Sequence, residues 1–432
     1  MREQELILYR DFAKEDILQD MAWLMAHYQE GDAVDRDPAA LLYDCMHRLL
    51  ELAGTHGFYG NLWHCYLSDL LANSENSYSM ACEVVGSVAG TINEAALHDF
   101  EIIKEFYDYD FSGMIYWLGA QRVALLFDWH VGERRGRVYN SRIRDRICEL
   151  AVKLAGAATA AAMKDITTEF YREYGVGRFG LHKAFRIEHD GEVMEIVPIL
   201  NIAHVKLDDL VGYDIPKKKL IDNTEAFVEG RKANNCLLFG DAGTGKSSSI
   251  KAIANEYYHR GLRIIEVYKH QFRDLNDIIA QIKNRNYKFI IYMDDLSFED
   301  FEIEYKYLKA VIEGGLEKRP DNVLIYATSN RRHLVRERFG DKADRDDDLH
   351  TNDTVQEKLS LASRFGVTIY FGSPDKKEFQ NIVRTLAARS ALPIPEDALL
   401  AQANQWELAH GGRSGRCAQQ FIDYLAGKKA EG

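Results

Sequence analysis

The sequence predicts an α/β fold, a five-stranded parallel P-loop sheet with a C-terminal helical lid, preceded by a mostly α-helical N-terminal domain. Three observations predict it. Residues 240–247 match the phosphate-binding pattern G-x-x-x-x-G-K-[ST] completely. Five short apolar runs alternate with helical patterns from residue 208 onward, which is typical of a parallel sheet covered by helices. Residues 1–172 carry apolar residues at helical spacing with few strong helix breakers.

The N-terminal region predicts a helical domain of its own. The alanine-rich run 151–163 is a strong helix former. Helical periodicity is clear in residues 38–52, 80–107 and 142–171. Asp190-Gly191 then separates two strand-like segments, which is a hairpin signal. The domains that we predict are a helical domain at 1–175, a hairpin connector at 176–205, a nucleotide-binding domain at 206–373 and a lid at 374–432.

Composition limits the class of protein. The chain has 432 residues, 46% of them hydrophobic, and a net charge of −13, which disfavours wholesale coating of nucleic acid. Its six cysteines are scattered without a C-x-x-C pair, which predicts reduced, buried thiols in a cytoplasmic protein. The N-terminus lacks the apolar core of a signal peptide, and no uncharged apolar stretch reaches membrane-spanning length. We therefore expect no membrane partner.

The glycine-rich loop is predicted to hold phosphates. An apolar run precedes it and a helical run follows it, which is the context that separates a true site from a chance match. Glycines let successive N–H groups point at phosphate oxygens, and the N-terminus of the helix favours the anion. Lys246 would reach the β- and γ-phosphates, and the Ser247 hydroxyl would bind a magnesium ion. The loop residues expected at the nucleotide are Gly240, Asp241, Ala242, Gly243, Thr244, Gly245, Lys246 and Ser247.

Two aspartates follow the third apolar run, residues 289–293. In an α/β sheet, ligands bind at the carboxyl ends of the strands. Asp294 suits a carboxylate that binds the magnesium ion either directly or through the ligands of the ion, and Asp295 suits the general base that polarises the attacking water. Glu299, four residues beyond Asp295, is an alternative base.

Three further polar residues complete the predicted site. Asn330 follows the fourth run and either orients water near the γ-phosphate or caps the next helix, and we favour the first role. Arg364 precedes the fifth run and is expected to stabilise transition-state charge on the ATP of a neighbouring subunit, the alternative being a surface ion pair. Arg416 begins the last helix and is expected to reach the nucleotide from the lid, with Arg413 as a competitor.

These elements, in this order, resemble Walker A, Walker B, sensor 1, arginine finger and sensor 2 of the AAA+ ATPases. Six segments look more closely like a bacterial ATP-binding family that is known only as an AAA+ domain of unknown function. They are residues 210–213, 223–224, 233–235, 294–298, 325–333 and 357–361. The resemblance covers residues 175–432. It implies ATP and Mg²⁺ as cofactors and a likeness to proteins that work as oligomers, so we expect a homo-oligomer, either a ring or a transient assembly.

The resemblance also implies roles for single residues. Those roles are phosphate and magnesium binding for Lys246, Ser247 and Asp294, catalysis for Asp295, sensor 1 for Asn330, the finger for Arg364, sensor 2 for Arg416, and proximity to adenine for Val211 and Tyr213. Most AAA+ proteins have glutamate at the position of Asp295. Aspartate is one methylene shorter, which predicts slow hydrolysis and a switch-like ATPase.

We therefore expect an ATPase that hydrolyses Mg-ATP at a subunit interface and moves an unknown protein client. The alternative is an ATP-gated, DNA-associated loader or scaffold with slow turnover. Its support is the aspartate at position 295 and a basic cluster that a solvated helix start also explains: Arg134, Arg135, Arg137, Arg142, Arg144 and Arg146. A small-molecule P-loop kinase is a weaker alternative, since that chemistry needs neither sensor 1 nor a finger. The acidic run 341–353 predicts a solvated loop.

Overall fold

Backbone contacts divide the chain into two units, Met1–His182 and Lys183–Gly432. The computed structural model describes residues 2–29, 36–130, 140–191, 193–200, 202–298, 302, 304–313, 320–331, 334 and 361–428. Several residues of the sequence predictions lie outside that part of the chain, namely Arg134, Arg135, Arg137, Glu299 and residues 332–333, 341–353 and 357–360.

The first unit is helical. Its helices are α1 (Asp16–His27), α2 (Pro38–His56), α3 (Leu62–Asn73), α4 (Ser77–Val85), α5 (Ile92–Tyr107), α6 (Ser112–Trp117), α7 (Ser141–Ala155), α8 (Ala160–Tyr174) and α9 (Gly177–Leu181). Their apolar faces form one core, in which Leu24, Trp63, Phe100 and Met163 are almost fully buried. This burial of large apolar side chains, at about 1.5–3 kcal/mol each, stabilises the unit more than helix propensity does.

Two of the predicted helical segments are interrupted. Residues 80–107 divide into α4 and α5 around Gly86 and Gly90, whose φ angles of 72° and 101° are incompatible with a helix. The alanine-rich run also divides, because the Thr159 hydroxyl accepts a hydrogen bond from the Ala162 N–H and so begins α8. A capping residue therefore starts a new helix despite the high helix propensity of the alanines around it.

A seven-stranded sheet organises the second unit. Its strands are β1 (Ala184–Asp190), β2 (Val193–Pro198), β3 (Cys236–Gly240), β4 (Leu262–Glu266), β5 (Lys288–Met293), β6 (Val323–Ser329) and β7 (Val367–Phe371), in the spatial order β2-β1-β4-β5-β6-β3-β7. The five predicted strands are present as β3 to β7, they pair in parallel, and the predicted α/β fold is confirmed. The hairpin that we predicted as a connector instead extends the sheet, because Phe185 of β1 pairs in parallel with Ile265 of β4.

The strand order decides which strand ends are neighbours. β6 lies between β5 and β3, although β3 comes earlier in the chain than both. The carboxyl ends of these parallel strands therefore meet at one edge of the sheet. Every residue of β6 is buried, as expected for a central parallel strand covered on both faces.

Helices cover the sheet and fix its position. They are α10 (Asp214–Val228), α11 (Lys246–Tyr257), α12 (Leu275–Ile282) and α13 (Glu304–Glu313). Ile250 and Ile253 of α11 belong to the same apolar core as Leu238 of β3. On α10, the Asn223 side chain donates to the Tyr326 hydroxyl at 2.9 Å. The predicted motif at 223–224 is therefore a buried polar link between α10 and β6, and it lies away from the ligand chemistry.

The last part of the chain forms the lid. Its helices are α14 (Lys376–Arg389), α15 (Glu396–Ala409) and α16 (Gly415–Gly427). Phe379, Val383 and Phe421 are the centre of a separate small core. Val211 and Tyr213, in the segment before α10, pack against this core. The lid consequently contacts the segment that the resemblance implies for adenine.

The six cysteines, all of which the structure describes, form no disulfide bond. All six cysteines are buried and free, and the sulphur atoms of Cys65 and Cys148 are 3.8 Å apart. Among the described residues, no helix has both the length and the apolar character needed to cross a bilayer.

Candidate nucleotide-binding site

The glycine loop joins the carboxyl end of β3 to the first turn of α11. Gly240 has a φ of 136°, and a Cβ atom at this position would lie 2.1 Å from the carbonyl oxygen of Phe371. Gly245 has a φ of 93° and immediately precedes α11. Glycine is therefore required at position 240 by both conformation and space, and the loop turns so that the N-terminus of α11 faces the cavity described below.

Lys246 is the only buried lysine among the described residues, with 6% of its surface exposed. Its Nζ donates to the carbonyl oxygens of Gly240 and Asp241 at 2.9 and 2.6 Å and to Oδ1 of Asn330 at 3.1 Å. Burial lowers the pKa of the ammonium group from its usual value. Since these three acceptors are neutral oxygens, no carboxylate within the described part of the chain accepts a hydrogen bond from Nζ, and an anionic ligand would supply a direct counter-charge.

Asp294 receives a cluster of hydrogen bonds on one oxygen. The hydroxyls of Ser247 and Thr328 donate to its Oδ1 at 2.7 and 2.5 Å. Burial by itself would raise the pKa of the carboxyl group, but the hydroxyl donors, Thr328 first, outweigh burial and hold the pKa below its ordinary value. Asp294 is therefore ionised at neutral pH and presents a hard anionic oxygen beside the Ser247 hydroxyl.

Asp295 lies in a left-handed backbone conformation, with a φ of 49°. Its N–H donates to the Thr328 hydroxyl at 2.9 Å, and its Oδ1 accepts from Nδ2 of Asn330 at 2.7 Å. Aspartate tolerates this conformation better than residues with longer side chains do, because its carboxylate can form local hydrogen bonds. The backbone thus offers a physical reason for aspartate at this position.

Asn330 connects the lysine to the predicted base. Its amide oxygen accepts from Lys246 and its amide nitrogen donates to Asp295. A single side chain at the end of β6 therefore bridges residues from β3–α11 and from the end of β5, as the strand order requires. The contacts of Asn330 with Lys246 and Asp295 place its side chain at the site. Residues 332–333 and 335–360, where the following helix was expected, lie outside the described residues.

A cavity of about 710 Å³ opens over these groups. Its lining includes five polar residues that hydrogen bonds connect, namely Lys246, Ser247, Asp294, Asp295 and Asn330. The lining also includes the apolar residues Leu210, Val211, Tyr213, Phe371, Ile382 and Leu386. The Tyr213 and Phe371 rings have centroids 5.6 Å apart. The volume and these two groups of residues suit a ligand with an anionic part and a flat apolar part.

The lid contributes Arg416 to the cavity lining. The backbone N–H of Arg416 donates to the carbonyl oxygen of Gly243 at 3.0 Å, so the start of α16 contacts the glycine loop directly. Arg413 forms an ion pair with Glu407 at 3.0 Å. Of the two arginines that we considered for the lid, the structure therefore places Arg416 at the cavity.

Arg364 lies elsewhere. It forms an ion pair with Glu313 of α13 and is absent from the described lining of the cavity. Its Nε and one terminal nitrogen are buried without a hydrogen-bond partner among the described residues. The structure consequently does not bring Arg364 into the site of its own chain, although the guanidinium group retains unused donors.

Thr328, which we did not predict from the sequence, is 1% exposed and contacts both aspartates. A signal was present, because alternate residues of a strand point to the same face and Thr328 precedes Asn330 by two positions. The apolar lid residues Ile382 and Leu386 were not predicted from the sequence either. Only the packing of α14 against the segment before α10 brings them to the cavity.

We predict that Thr328→Val lowers ATP turnover about tenfold, because Asp294 loses a donor and the Asp295 N–H keeps only its longer contact with Asp294, at 3.2 Å. The two lost hydrogen bonds are together worth about 1–3 kcal/mol. The same variant is expected to need more Mg²⁺ for half-maximal phosphate release. Thr328→Ser keeps the hydroxyl and is expected to stay within about threefold of the parent protein. Thr368→Val, on the exposed face of β7, is the matched control. Unchanged turnover and magnesium dependence in Thr328→Val would contradict the role.

The donor set fits a magnesium ion bound together with phosphate. Ser247 and Asp294 offer two oxygen ligands 2.7 Å apart. Within the described residues no group of three or more His, Cys, Asp or Glu side chains converges as a metal site. Mg²⁺ usually takes one or two protein oxygens and completes its octahedron with water and substrate phosphates. The residues present thus match the cofactor that the resemblance implies.

Comparison with known families identifies this module. A family model described as "Protein of unknown function (DUF815)" matches residues 180–429, well over half of the chain. The chain belongs to this family. The DUF815 match includes the glycine loop, both aspartates, Asn330 and the lid, and the predicted relation to AAA+ P-loop ATPases of unknown specific function is confirmed.

Curated relatives share shorter stretches with this DUF815 protein. It is 40% identical over 74 residues to the replication factor C large subunit of Staphylothermus marinus, which is 17% of each chain. It is 25% identical over 195 residues to the chromosomal replication initiator protein DnaA of Borrelia garinii subsp. bavariensis, which covers 43% of this chain and 37% of that protein. The chain therefore spans less than half the length of either relative.

A solved structure also matches part of the DUF815 protein. The RuvB Holliday junction branch migration motor of Thermotoga maritima is 17% identical, with a TM-score of 0.36. The alignment covers 51% of this chain and 64% of that one.

Proposed function

We propose that this protein binds Mg-ATP in the cavity between the glycine loop and the lid and hydrolyses it slowly. The observation that carries the proposal is the ammonium group of the buried Lys246, which is held by neutral oxygens at the cavity. A buried cation without a carboxylate hydrogen bond, next to the N-terminus of a helix, is arranged for an anion such as a polyphosphate.

Each polar residue named at the cavity has a proposed task. Lys246 binds the β- and γ-phosphates, and Ser247 and Asp294 hold Mg²⁺. The metal, when bound, neutralises charge on the phosphate oxygens. Asp295 accepts the proton of the attacking water, Asn330 orients that water, and Arg416 adds positive charge from the lid. Among the apolar lining residues, Val211 and Tyr213 are proposed to contact the adenine.

The position of Asp295 supports slow turnover. Its carboxylate is one methylene shorter than that of glutamate, and the Asn330 amide donates a hydrogen bond to it. The φ of 49° at this residue disfavours glutamate, which supports a switch-like ATPase.

The direct test is calorimetric titration with ATP and ADP, with and without Mg²⁺, followed by measurement of phosphate release. We expect uptake of both nucleotides and release that depends on Mg²⁺. A well-folded protein that takes up neither nucleotide would exclude the proposal.

We propose further that hydrolysis occurs between subunits of a homo-oligomer, either a ring or a transient assembly. Arg364 would leave Glu313 and contact the ATP of the neighbouring subunit, and its unused donors support this task. The resulting movement of the lid would act on a protein client. The buried free thiols support a reducing compartment, which we propose is the cytoplasm.

For Arg364→Ala we predict about a tenfold loss of turnover, the expected effect of losing charge-assisted hydrogen bonds to phosphate, with ATP affinity retained. Light scattering after gel filtration, with and without ATP, reports the assembly. Arg384→Ala is the matched control, because Arg384 also forms an ion pair, with Glu396, away from the cavity. Normal turnover by a monomeric Arg364→Ala protein would exclude the shared site.

A DNA-associated loader or scaffold is the second candidate. The names of the replication relatives support it. The described arginines of the basic cluster are engaged within the chain, since Arg144 pairs with Asp145 and Arg146 lies 4.1 Å from the Tyr174 ring. Retention on DNA that falls steeply with salt would favour this candidate, and no retention at low salt would remove it.

A further inference from the structure

An acidic residue stands inside the phosphate-binding loop. Asp241 lies between Gly240 and Ala242, where its charge opposes binding of an anion. Its carboxylate is turned onto Ser373. Oδ2 of Asp241 accepts hydrogen bonds from both the backbone N–H and the hydroxyl of Ser373, each at 2.8 Å. The backbone N–H of Asp241 donates to the carbonyl oxygen of Phe371 at 3.0 Å.

Ser373 lies in the segment that joins the sheet to the lid, residues 372–375, which we call the hinge. Phe371 is the last residue of β7, and Asp375 caps the first lid helix, α14, with its side chain accepting from the Glu378 N–H at 2.8 Å. Two donors on one residue of this hinge thus bond to a single carboxylate oxygen of the glycine loop. The two Ser373 donors, hydroxyl first, lower the pKa of Asp241 from its usual value, so the contact is charge-assisted at neutral pH.

The lid contacts the loop a second time at its far end. The Arg416 N–H donates to the Gly243 carbonyl oxygen, and a Cβ atom on Gly243 would lie 3.0 Å from Cβ of Arg416 and 3.1 Å from the Ser414 hydroxyl. The start of α14 and the start of α16 are therefore both anchored on the loop. Since the lid has one core joining α14 and α16, the position of the first anchor constrains the second.

We propose that Asp241 is a positioning residue, which ties the hinge at Ser373 to the phosphate loop and thereby places Arg416 over the nucleotide. The proposal rests on the proposed function, because it names how the loop and the lid of that site are coupled. Asp241 touches neither the phosphates nor the reacting water in this role. It acts through the hinge. Its hydrogen bonds to Ser373 give a reason for a carboxylate in a loop that binds phosphate.

The first experiment measures the hydrogen bond between the Ser373 amide and Asp241 in the absence of nucleotide. Hydrogen exchange of the Ser373 amide is expected to be about tenfold faster in Asp241→Ala, because that N–H loses a charged acceptor. Asp241→Asn keeps an acceptor oxygen and is expected to restore most of the protection. Asp222→Ala, which removes an exposed carboxylate of α10 outside the cavity lining, is the control. Unchanged exchange at Ser373 in Asp241→Ala would overturn the inference.

The second experiment is a double-mutant cycle in ATP turnover between Asp241→Ala and Arg416→Ala. Arg416→Ala alone is expected to reduce kcat about tenfold, and only about twofold when Asp241 is already alanine, because the loose lid no longer places the arginine. Ser373→Ala, which leaves the loop sequence intact, is expected to reduce the effect of Arg416→Ala in the same direction. Independent, multiplicative effects would mean that Asp241 only stabilises its own loop, and the inference would fail.

The two experiments separate this inference from the proposed function. If the parent protein neither binds nor hydrolyses ATP, the proposed function fails. Hydrogen exchange at Ser373 still measures the hydrogen bond to Asp241 in that case. If ATP binds and turns over but the cycle shows no coupling, only the role of Asp241 is excluded.

Discussion

Replacing Lys246 by alanine is expected to weaken ATP binding about 100-fold, which corresponds to about 2.8 kcal/mol. Lys246 is buried, with 6% of the residue exposed, and it lines the cavity, so its attraction to phosphate is little screened by water. The alanine variant keeps the neutral N–H donors of the loop and Arg416 of the lid, but it loses the ammonium group of the loop itself. Calorimetric titration with ATP in the presence of Mg²⁺ measures the loss.

The fold itself is expected to survive this change. Burial already disfavours the charged form of Lys246 and lowers its pKa, so its removal eliminates a desolvation cost together with three hydrogen bonds to neutral oxygens. We expect a melting temperature within a few degrees of that of the parent protein. For a domain of this size, a change of 1 kcal/mol in the free energy of unfolding shifts the melting temperature by about 2–4 °C. Lys251→Ala, at an exposed position of the same helix, is the matched control. Equal ATP affinity in the Lys246→Ala and Lys251→Ala proteins would refute the phosphate site.

Asp295→Asn is expected to reduce ATP turnover about 1000-fold and leave ATP affinity within about threefold. Asparagine has the same shape and still offers an oxygen to the Asn330 amide, but it cannot accept a proton. Binding and chemistry therefore separate in this variant. Single-turnover measurement of phosphate release, alongside nucleotide titration, distinguishes the two steps.

Glutamate at the same position tests why this chain has aspartate. At a φ of 49°, Asp295→Glu carries a conformational cost of about 1–2 kcal/mol, so we expect lower thermal stability and no gain in turnover. Asp294→Asn is the comparison variant, because it is expected to impair magnesium dependence first. Turnover by Asp295→Asn equal to that of the parent protein would show that another group, such as Glu299, is the base.

The site could be predicted where its functional residues are neighbours in the sequence. The glycine loop and Lys246 are contiguous, and Asp294 and Asp295 directly follow an apolar run, so their types and spacing indicate phosphate and metal chemistry. The five strands could be predicted because buried parallel strands are short apolar runs rich in β-branched and aromatic residues. The hairpin could be predicted as two strands, but its pairing with β4 could not, because a hairpin signal carries no information about its outer partner.

The sequence by itself determined a P-loop α/β module with a helical lid. It also determined the phosphate loop, the two aspartates that follow β5 and the asparagine that follows β6. Only the tertiary structure decided that β6 lies between β5 and β3, so that Asn330 bonds both to Lys246 and to Asp295. It also decided that Thr328 holds both aspartates, that Arg416 and not Arg413 faces the cavity, and that Asp241 bonds to the hinge. The physical reason is that these contacts join residues far apart in the chain. Strand order and lid packing bring such residues together, and no local periodicity encodes them.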